Sequence, residues 1–243
     1  MKSLKIAAVG GFGHAKNVFD ELAGFPDLQL QALAPAHAEE PIDGFLQHPW
    51  AQASKTRRYE DLPALCEAEK PDVLIVSTRP DHIQSVALDA IEAGCHLIVE
   101  KPLALDLAGL RQLYEALSAS QVRMMAMLSM RSMPAFRQAK ALIESGAIGQ
   151  PLLINARKSY KWGQRPEWYA DRKRYGGTWP WVGIHALDMA HYLTGLHATG
   201  VYANHANRGH PDRRACEDVA VGVFTMENNV SMTVSIDLFR SDN

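Results

Sequence analysis

Residues 4–22 read LKIAAVGGFGHAKNVFDEL, and this stretch decides the fold. Leu4 to Val9 is a short apolar run of the kind that forms a buried strand. Gly10-Gly11-Phe12-Gly13 ends it in a tight turn. Ala15, Val18, Phe19 and Leu22 then recur at helical spacing and give one apolar face. Gly24 and Pro26 stop that helix. A strand, a glycine turn and a helix in direct succession also make a cradle for phosphate. Gly11, without a β-carbon, is expected to make the sharp turn. Gly13 lets a pyrophosphate approach the helix N-terminus, where unbonded N–H groups and the helix dipole attract it. The full dinucleotide fingerprint has a third small residue three positions after Gly13. Lys16 stands there, with Ala15 one position earlier.

Working outward, the first half keeps alternating apolar strands with amphipathic helices. Leu28 to Leu33 reads as a second strand and Tyr59 to Glu69 as a short helix. Asp72 to Ser77 (DVLIVS) is a β-branched run and so a buried strand. Ile83, Val86, Ala87, Ala90 and Ile91 mark the next helix, closed by Gly94. His96 to Val99 is another strand. Asp106 is placed to cap a helix carrying Leu110, Leu113, Tyr114 and Leu117, and Val122 to Leu128 would be a further strand. Such alternation builds a parallel sheet with helices on both faces. Ligands of such sheets sit beyond the carboxyl ends of the strands, where the strand order reverses. That edge collects Gly10–Gly13, Ser77–His82 and Glu100–Pro102, because each follows directly after a strand.

The second half changes character. Pro134 opens a helix that ends near Gly146, and Leu152 to Tyr160 reads as a strand. Residues 161–183 are rich in Trp, Tyr, Arg and Gly and show no clear period. Ile184 to Leu193 is a helix stopped by Gly195. Val201 to Ala206, Val219 to Met226 and Val230 to Leu238 are strands, the last two joined by a hairpin turn at Glu227-Asn228-Asn229. The chain is thus an α/β protein. A doubly wound dinucleotide-binding domain is expected over residues 1–129, with an α+β domain carrying an open, mostly antiparallel sheet over 130–243.

Composition sets the outer limits. The 243 residues are 47% hydrophobic and 21% charged, ordinary values for a folded globular chain. Lys plus Arg is 25 and Asp plus Glu is 27, giving a net charge of −2. A phosphate-binding surface needs an excess of Lys and Arg, so nucleic acid is not the expected partner. No run approaches the roughly 20 apolar residues that span a bilayer, so no membrane partner is expected. Residues 1–9 read as a strand entering a turn rather than as a secretory signal. Cys66, Cys95 and Cys216 are odd in number and far apart in sequence, with no metal or redox spacing. Reduced thiols in a cytoplasm are the simplest expectation.

Val99-Glu100-Lys101-Pro102 puts a charge pair at the end of a buried strand. Taken with the glycine turn and Ser77-Thr78-Arg79-Pro80-Asp81-His82, it resembles the glucose–fructose oxidoreductase / inositol dehydrogenase / MocA (Gfo/Idh/MocA) family of NAD(P)-dependent oxidoreductases. The resemblance extends through Gly146-Ala147-Ile148-Gly149, Gly176-Gly177 and Gly183-Ile184-His185-Ala186-Leu187-Asp188. It implies a Rossmann domain that binds the dinucleotide through Gly11, Phe12, Gly13 and His14. Ser77, Thr78 and Pro80 would line its adenosine side, and Glu100 and Lys101 would lie near the nicotinamide ribose. It implies an α+β domain whose open sheet covers the nicotinamide and often forms a homo-oligomer interface. Lys101 and His185 would face the carbon that exchanges hydride, on a sugar, cyclitol or related polyol. His82 would either cap a helix start or touch the cofactor edge. NAD and NADP both stay open. The acid expected about 20 residues after the glycine turn to hold a ribose is missing. The second strand ends at Ala34-Pro35-Ala36-His37, the next acids are Glu39 and Glu40, and no Arg is nearby.

The residue types suit that chemistry. Moving hydride from a carbinol carbon requires the hydroxyl proton to leave as well. A neutral His can take it, its ordinary pKa being about 6.5. A Lys beside a cationic ring and partly desolvated should titrate lower, and could take the proton or stabilise the alkoxide. His185 and Asp188 are three apart on a helix and share a face, so Asp188 either orients the ring or is structural. The family pattern commonly has Asp four residues before the His. Here Trp181 stands there, offering an apolar wall or a stacking face. Arg131, Arg165, Trp168, Tyr175, Trp181 and Asp188 are the substrate-binding candidates. No metal is expected, since no Cys/His ligand spacing occurs. The runner-up function is a dinucleotide-binding protein without turnover, a sensor or partner subunit. Family members usually run longer than this chain, which stops at Ser241-Asp242-Asn243 just after a predicted strand, so the second sheet is expected to be short of strands.

Overall fold

The computed structural model describes residues 4–213 and 215–241. Residues 1–3 and 242–243, parts of the N-terminal stretch and of the chain end read above, lie outside the described residues, as does Arg214. The chain divides into two compact units, Met1–Met127 and Leu128–Asn243.

In the first unit the order is β1 (Lys5–Val9), α1 (Ala15–Leu22), β2 (Gln29–Ala34), α2 (Asp43–Leu46), α3 (Pro49–Ala53) and β3 (Arg57–Arg58). There follow α4 (Leu62–Glu69), β4 (Val73–Val76), α5 (Pro80–Glu92), β5 (His96–Val99), α6 (Leu107–Ser118) and β6 (Met124–Ala126). The sheet order is β3-β2-β1-β4-β5-β6, with every pair parallel. The order reverses between β1 and β4, which is where an open α/β sheet forms its ligand crevice. Alternate residues of β1 serve opposite faces. Ala7 and Val9 join the cluster under α4, α5 and α6. Ile6 and Ala8 join Phe19 of α1 and Phe45 and Trp50 of α2 and α3. The apolar face expected of α1 is the one it buries.

Three short elements, α2, α3 and β3, escape a periodicity reading because none completes a pattern. Local chemistry makes α3: His48 caps it by accepting the Trp50 amide, and Pro49 opens it. The helix expected from Tyr59 starts only at Leu62, because the Asp61 carboxylate accepts the Ala64 amide at 2.8 Å. It ends where Lys70 turns left-handed (φ 48°). Asp106 caps α6 as expected, accepting the Gly109 amide at 2.7 Å. The last strand is shorter than Val122–Leu128 because its ladder with β5 covers only Met124 to Ala126.

The second unit contains α7 (Pro134–Glu144), β7 (Leu153–Ser159), α8 (Arg172–Tyr175), α9 (Ile184–Thr194), β8 (Ala198–Ala206), β9 (Val219–Met226) and β10 (Ser231–Asp237). Its sheet runs β7-β10-β9-β8, parallel between β7 and β10 and antiparallel elsewhere. The hairpin between β9 and β10 turns through Asn228 and Asn229, both left-handed (φ 59° and 57°), a conformation Asn tolerates better than most residues. The aperiodic stretch 161–183 is not structureless. It contains a 3₁₀ turn over Glu167–Ala170, α8 and a π-helical turn over Trp179–Gly183 that runs straight into α9. Met232, Val234 and Ile236 of β10 are fully buried beneath Trp168, Tyr175, Trp181 and Val182.

Candidate functional site

The carboxyl edge of the first sheet gathers the three turns that follow β1, β4 and β5. The sharp turn is not made at Gly11. The left-handed positions are Gly10 (φ 101°) and Gly13 (φ 92°). Gly11 is required for space instead, since a β-carbon there would run into the Pro41 carbonyl. At Gly13 a β-carbon would meet the Glu100 carboxylate and the Ser77 hydroxyl as well as an unfavourable φ.

Glu100 ties the edge together. It is fully buried, and its Oε2 accepts the His14 amide and the His14 Nδ1–H, each at 2.6 Å. Its Oε1 accepts the Lys101 amide at 2.9 Å and lies 3.8 Å from Lys101 Nζ. Burial pushes this carboxyl up. The His14 hydrogen bonds and the Lys101 charge overcome that push and hold it below the usual carboxylate range. A carboxylate at the start of α1 also suits the helix dipole. Lys101 is itself buried and is followed by a cis peptide to Pro102.

Ser77 and Thr78 are both fully buried, and their hydroxyls serve the protein. Ser77 Oγ donates to the Phe12 carbonyl at 2.6 Å and accepts the Ala15 amide, while its own carbonyl accepts the Phe12 amide. Thr78 Oγ1 donates to Glu40 at 2.8 Å. These bonds hold the glycine turn and the loop after β2 in place. Pro80 is buried as the first residue of α5. His82 packs against His37 with ring centroids 4.6 Å apart and the rings tilted, and Arg79 bonds both Asp81 oxygens and the His82 ring. Desolvation pulls the His82 imidazole below its usual range, ahead of the opposing pull of Asp81.

Sequence reasoning missed the role of Glu40. It is buried, accepting the Ala36 amide as well as the Thr78 hydroxyl, so one of the two acids that follow the second strand is turned inward. Its place just ahead of the apolar Pro41-Ile42 pair was the available signal.

This edge suits a dinucleotide. Gly13 is exposed, and the amides of Gly11 and Gly13 find no acceptor among the described residues. Those are the donors a pyrophosphate would use. Phe12 and the half-exposed ring of His14 flank them.

The second unit rearranges the expected substrate residues. Asp188 does not stand alone with His185. Its carboxylate is gripped by Arg131 through Nε, at 3.0 Å to each oxygen, and through Nη2. This fork pairs two of the substrate candidates with each other and fixes α9 against the turn before α7. His185 is half-buried on the first turn of α9. Trp168, Tyr175 and Trp181 are buried and pack on one another and on Tyr169, with ring centroids 4.0–6.3 Å apart. These rings form part of the core of the second unit. Burial also pushes the Tyr175 phenol well up. Arg165 lies over Tyr169, its guanidinium carbon 4.8 Å from the ring centroid, and donates to the Trp162 carbonyl.

Two family models match nearly all of the chain. The oxidoreductase family with the NAD-binding Rossmann fold matches residues 4–128, and the GFO/IDH/MocA C-terminal domain matches residues 136–242. Among curated proteins, the chain is 33% identical to levoglucosan dehydrogenase of Pseudarthrobacter phenanthrenivorans over 52% of this chain and 34% of that one. It is 26% identical to inositol 2-dehydrogenase of Salmonella paratyphi B over 79% and 54%. To D-apiose dehydrogenase of Paraburkholderia graminis it is 32% identical over 73% and 47%. The chain thus spans between a third and about half of the length of these relatives. Among solved structures, an oxidoreductase of unproven activity from Thermotoga maritima superposes with a TM-score of 0.89 at 34% identity, covering 99% of this chain and 73% of that one. Scyllo-inositol dehydrogenase from Lactobacillus casei, solved with NAD(H) and scyllo-inositol, has the same fold, with a TM-score of 0.80 at 20% identity over 97% and 70%. With both of its units matched, the chain belongs to the Gfo/Idh/MocA family of NAD-binding oxidoreductases.

Proposed function

We propose that this protein moves hydride between a nicotinamide cofactor, NAD or NADP, and a sugar, cyclitol or related polyol. The observation that carries the reading is the Glu100-Lys101-Pro102 turn, a buried charge pair bonded directly to the glycine turn at the switch point of the sheet. The names of the relatives, dehydrogenases of levoglucosan, inositol and apiose, support an alcohol of that class.

The amides of Gly11 and Gly13, with Phe12 and His14 beside them, would hold the pyrophosphate. When bound, the nicotinamide supplies the hydride acceptor or donor. His185 would take the proton from the substrate hydroxyl. Lys101, buried and next to a carboxylate, stabilises the developing alkoxide or shares in the proton transfer. Glu100 positions Lys101 through its backbone and charge. The apolar residues Leu153, Tyr202, Val221 and Val223 lie exposed on one face of the second sheet, and we assign that face to self-association. Light scattering should then report more than one copy.

Titration of NADH and NADPH, followed by turnover on a panel of sugars and cyclitols, tests the reading. Lys101→Ala should lower turnover by about 10²–10⁴-fold, the usual range for a proton-handling group, with little change in cofactor affinity. An unchanged rate would remove Lys101 from the mechanism. One observation favours a second reading, a dinucleotide-binding protein without turnover: Trp181, where the family commonly has Asp, is built into the core. Cofactor binding with no activity across the panel would select it.

A further inference from the structure

At the opposite edge of the first sheet the fold brings together two thiols that the sequence keeps far apart. Cys66 lies on α4, and its carbonyl accepts the Lys70 amide where that helix ends. The chain turns through Lys70 and Pro71 into β4, and the Asp72 carbonyl accepts the His96 amide at the start of β5. Cys95 precedes His96, so the β4–β5 pairing sets it beside the end of α4. Cys95 belongs to the core under these helices and Cys66 packs against it. Both line one open cleft of about 490 Å³, together with Glu67, Lys70, Pro71 and Ala93. The two thiols thus face the same cleft from neighbouring elements.

We propose that Cys66 and Cys95 form a redox modification site, closed to a disulfide by a small-molecule disulfide of the glutathione type. The two thiols differ as an attacking and a resolving cysteine must. Cys66 is half-buried and reachable from the cleft, whereas Cys95 is 1% exposed. The neighbouring Cys95 thiol holds Cys66 below the usual thiol range, whereas the Cys66 thiol and burial push Cys95 up. The thiolate of Cys66 attacks one sulfur of the oxidant, and the first small thiol leaves with its electron pair and takes up a proton. Cys95 then gives up its proton and attacks the Cys66 sulfur, and the second small thiol leaves. Two protein thiols are oxidised and one small disulfide is reduced to two thiols. Lys70 on the cleft rim supplies a cation for the carboxylates of such an oxidant. The pair lies at the amino ends of the strands and the glycine turn at their carboxyl ends, so the proposal stands apart from the hydride reading.

The test is incubation of the full chain with oxidised glutathione, read by intact mass and by thiol counting after denaturation. The expected product has lost two hydrogens, retains one of its three thiols, yields a Cys66–Cys95 linked peptide and is restored by dithiothreitol. Cys95→Ala should instead retain glutathione on Cys66. Cys66→Ser, at the more exposed position, should leave Cys95 unmodified. Three unreacted thiols, a glutathione adduct that persists on Cys66 of the unsubstituted chain, or disulfides only between chains would each overturn the proposal.

Discussion

The two units solve the problem of buried polar and aromatic groups in opposite ways. At the carboxyl edge of the first sheet, Glu100, Ser77, Thr78 and Glu40 are all buried, and each carboxylate or hydroxyl is matched to a donor or acceptor on a neighbouring turn. The result is a set of loops held by hydrogen bonds around glycines, with their outer amides left for a ligand. In the second unit the corresponding rigidity comes from a cluster of packed rings. Trp168, Tyr169, Tyr175 and Trp181 pack over β10, while Glu217 accepts the Thr178 and Trp179 amides at the start of the π-helical turn. Hydrogen-bonded loops fix direction and leave atoms exposed, as a binding edge requires. A ring cluster fixes position by excluding everything else, so it makes a scaffold for α9.

Substitution at Trp181 should break that contrast most sharply. Trp181→Ala should destabilise the second unit by about 3–5 kcal/mol through the cavity it leaves. Trp181→Asp, which restores the family's usual residue, should cost more still because it buries a charge with no partner. Urea unfolding followed by tryptophan fluorescence reads this, since four of the five tryptophans lie in that unit. A Trp181→Asp chain as stable as the parent would show that the cluster opens to admit a carboxylate. On the other side, Gly13→Ala should cost about 1–3 kcal/mol in backbone strain and should abolish dinucleotide binding, measured by NADH fluorescence titration.

Glu100 gives a pH test of the same edge. Its carboxyl titrates lower in the folded chain than in the unfolded one. Its contribution is therefore fully present above the ordinary carboxylate value of about 4.3, and is lost as pH falls through the lower folded value. Stability measured against pH should decline on that acid limb, and Glu100→Gln should flatten it. A limb of equal slope in the variant would assign the loss to other carboxylates. The smallest effect expected is at the hairpin, where Asn228→Ala should cost about 1 kcal/mol because Ala tolerates the left-handed φ poorly. Thermal melts resolve a change of that size.

The contrast also explains what could be read from the chain alone. The strand β1 and helix α1, the capping of α6 by Asp106 and the hairpin at Asn228 all rest on residues within a few positions of one another. Local pattern and local chemistry suffice there. The same holds for the order of turns on the binding edge, because alternating strands and helices leave a parallel sheet only one carboxyl side. What pattern could not supply is partnership across the chain. Tyr175 and Trp181 have the composition of a sugar-binding surface, and only packing over β10 makes them core. Asp188 shares a helical face with His185, yet its charge is answered by Arg131. Glu40 follows the second strand at nearly the expected place for a ribose acid, but the Thr78 hydroxyl draws it inward. Cys66 and Cys95 look unrelated until β4 and β5 pair. Each of these outcomes turns on burial and on which polar group reaches which. Those quantities exist only once distant segments have been brought together, because a side chain's neighbours, and not its type, decide whether it faces a ligand or the core.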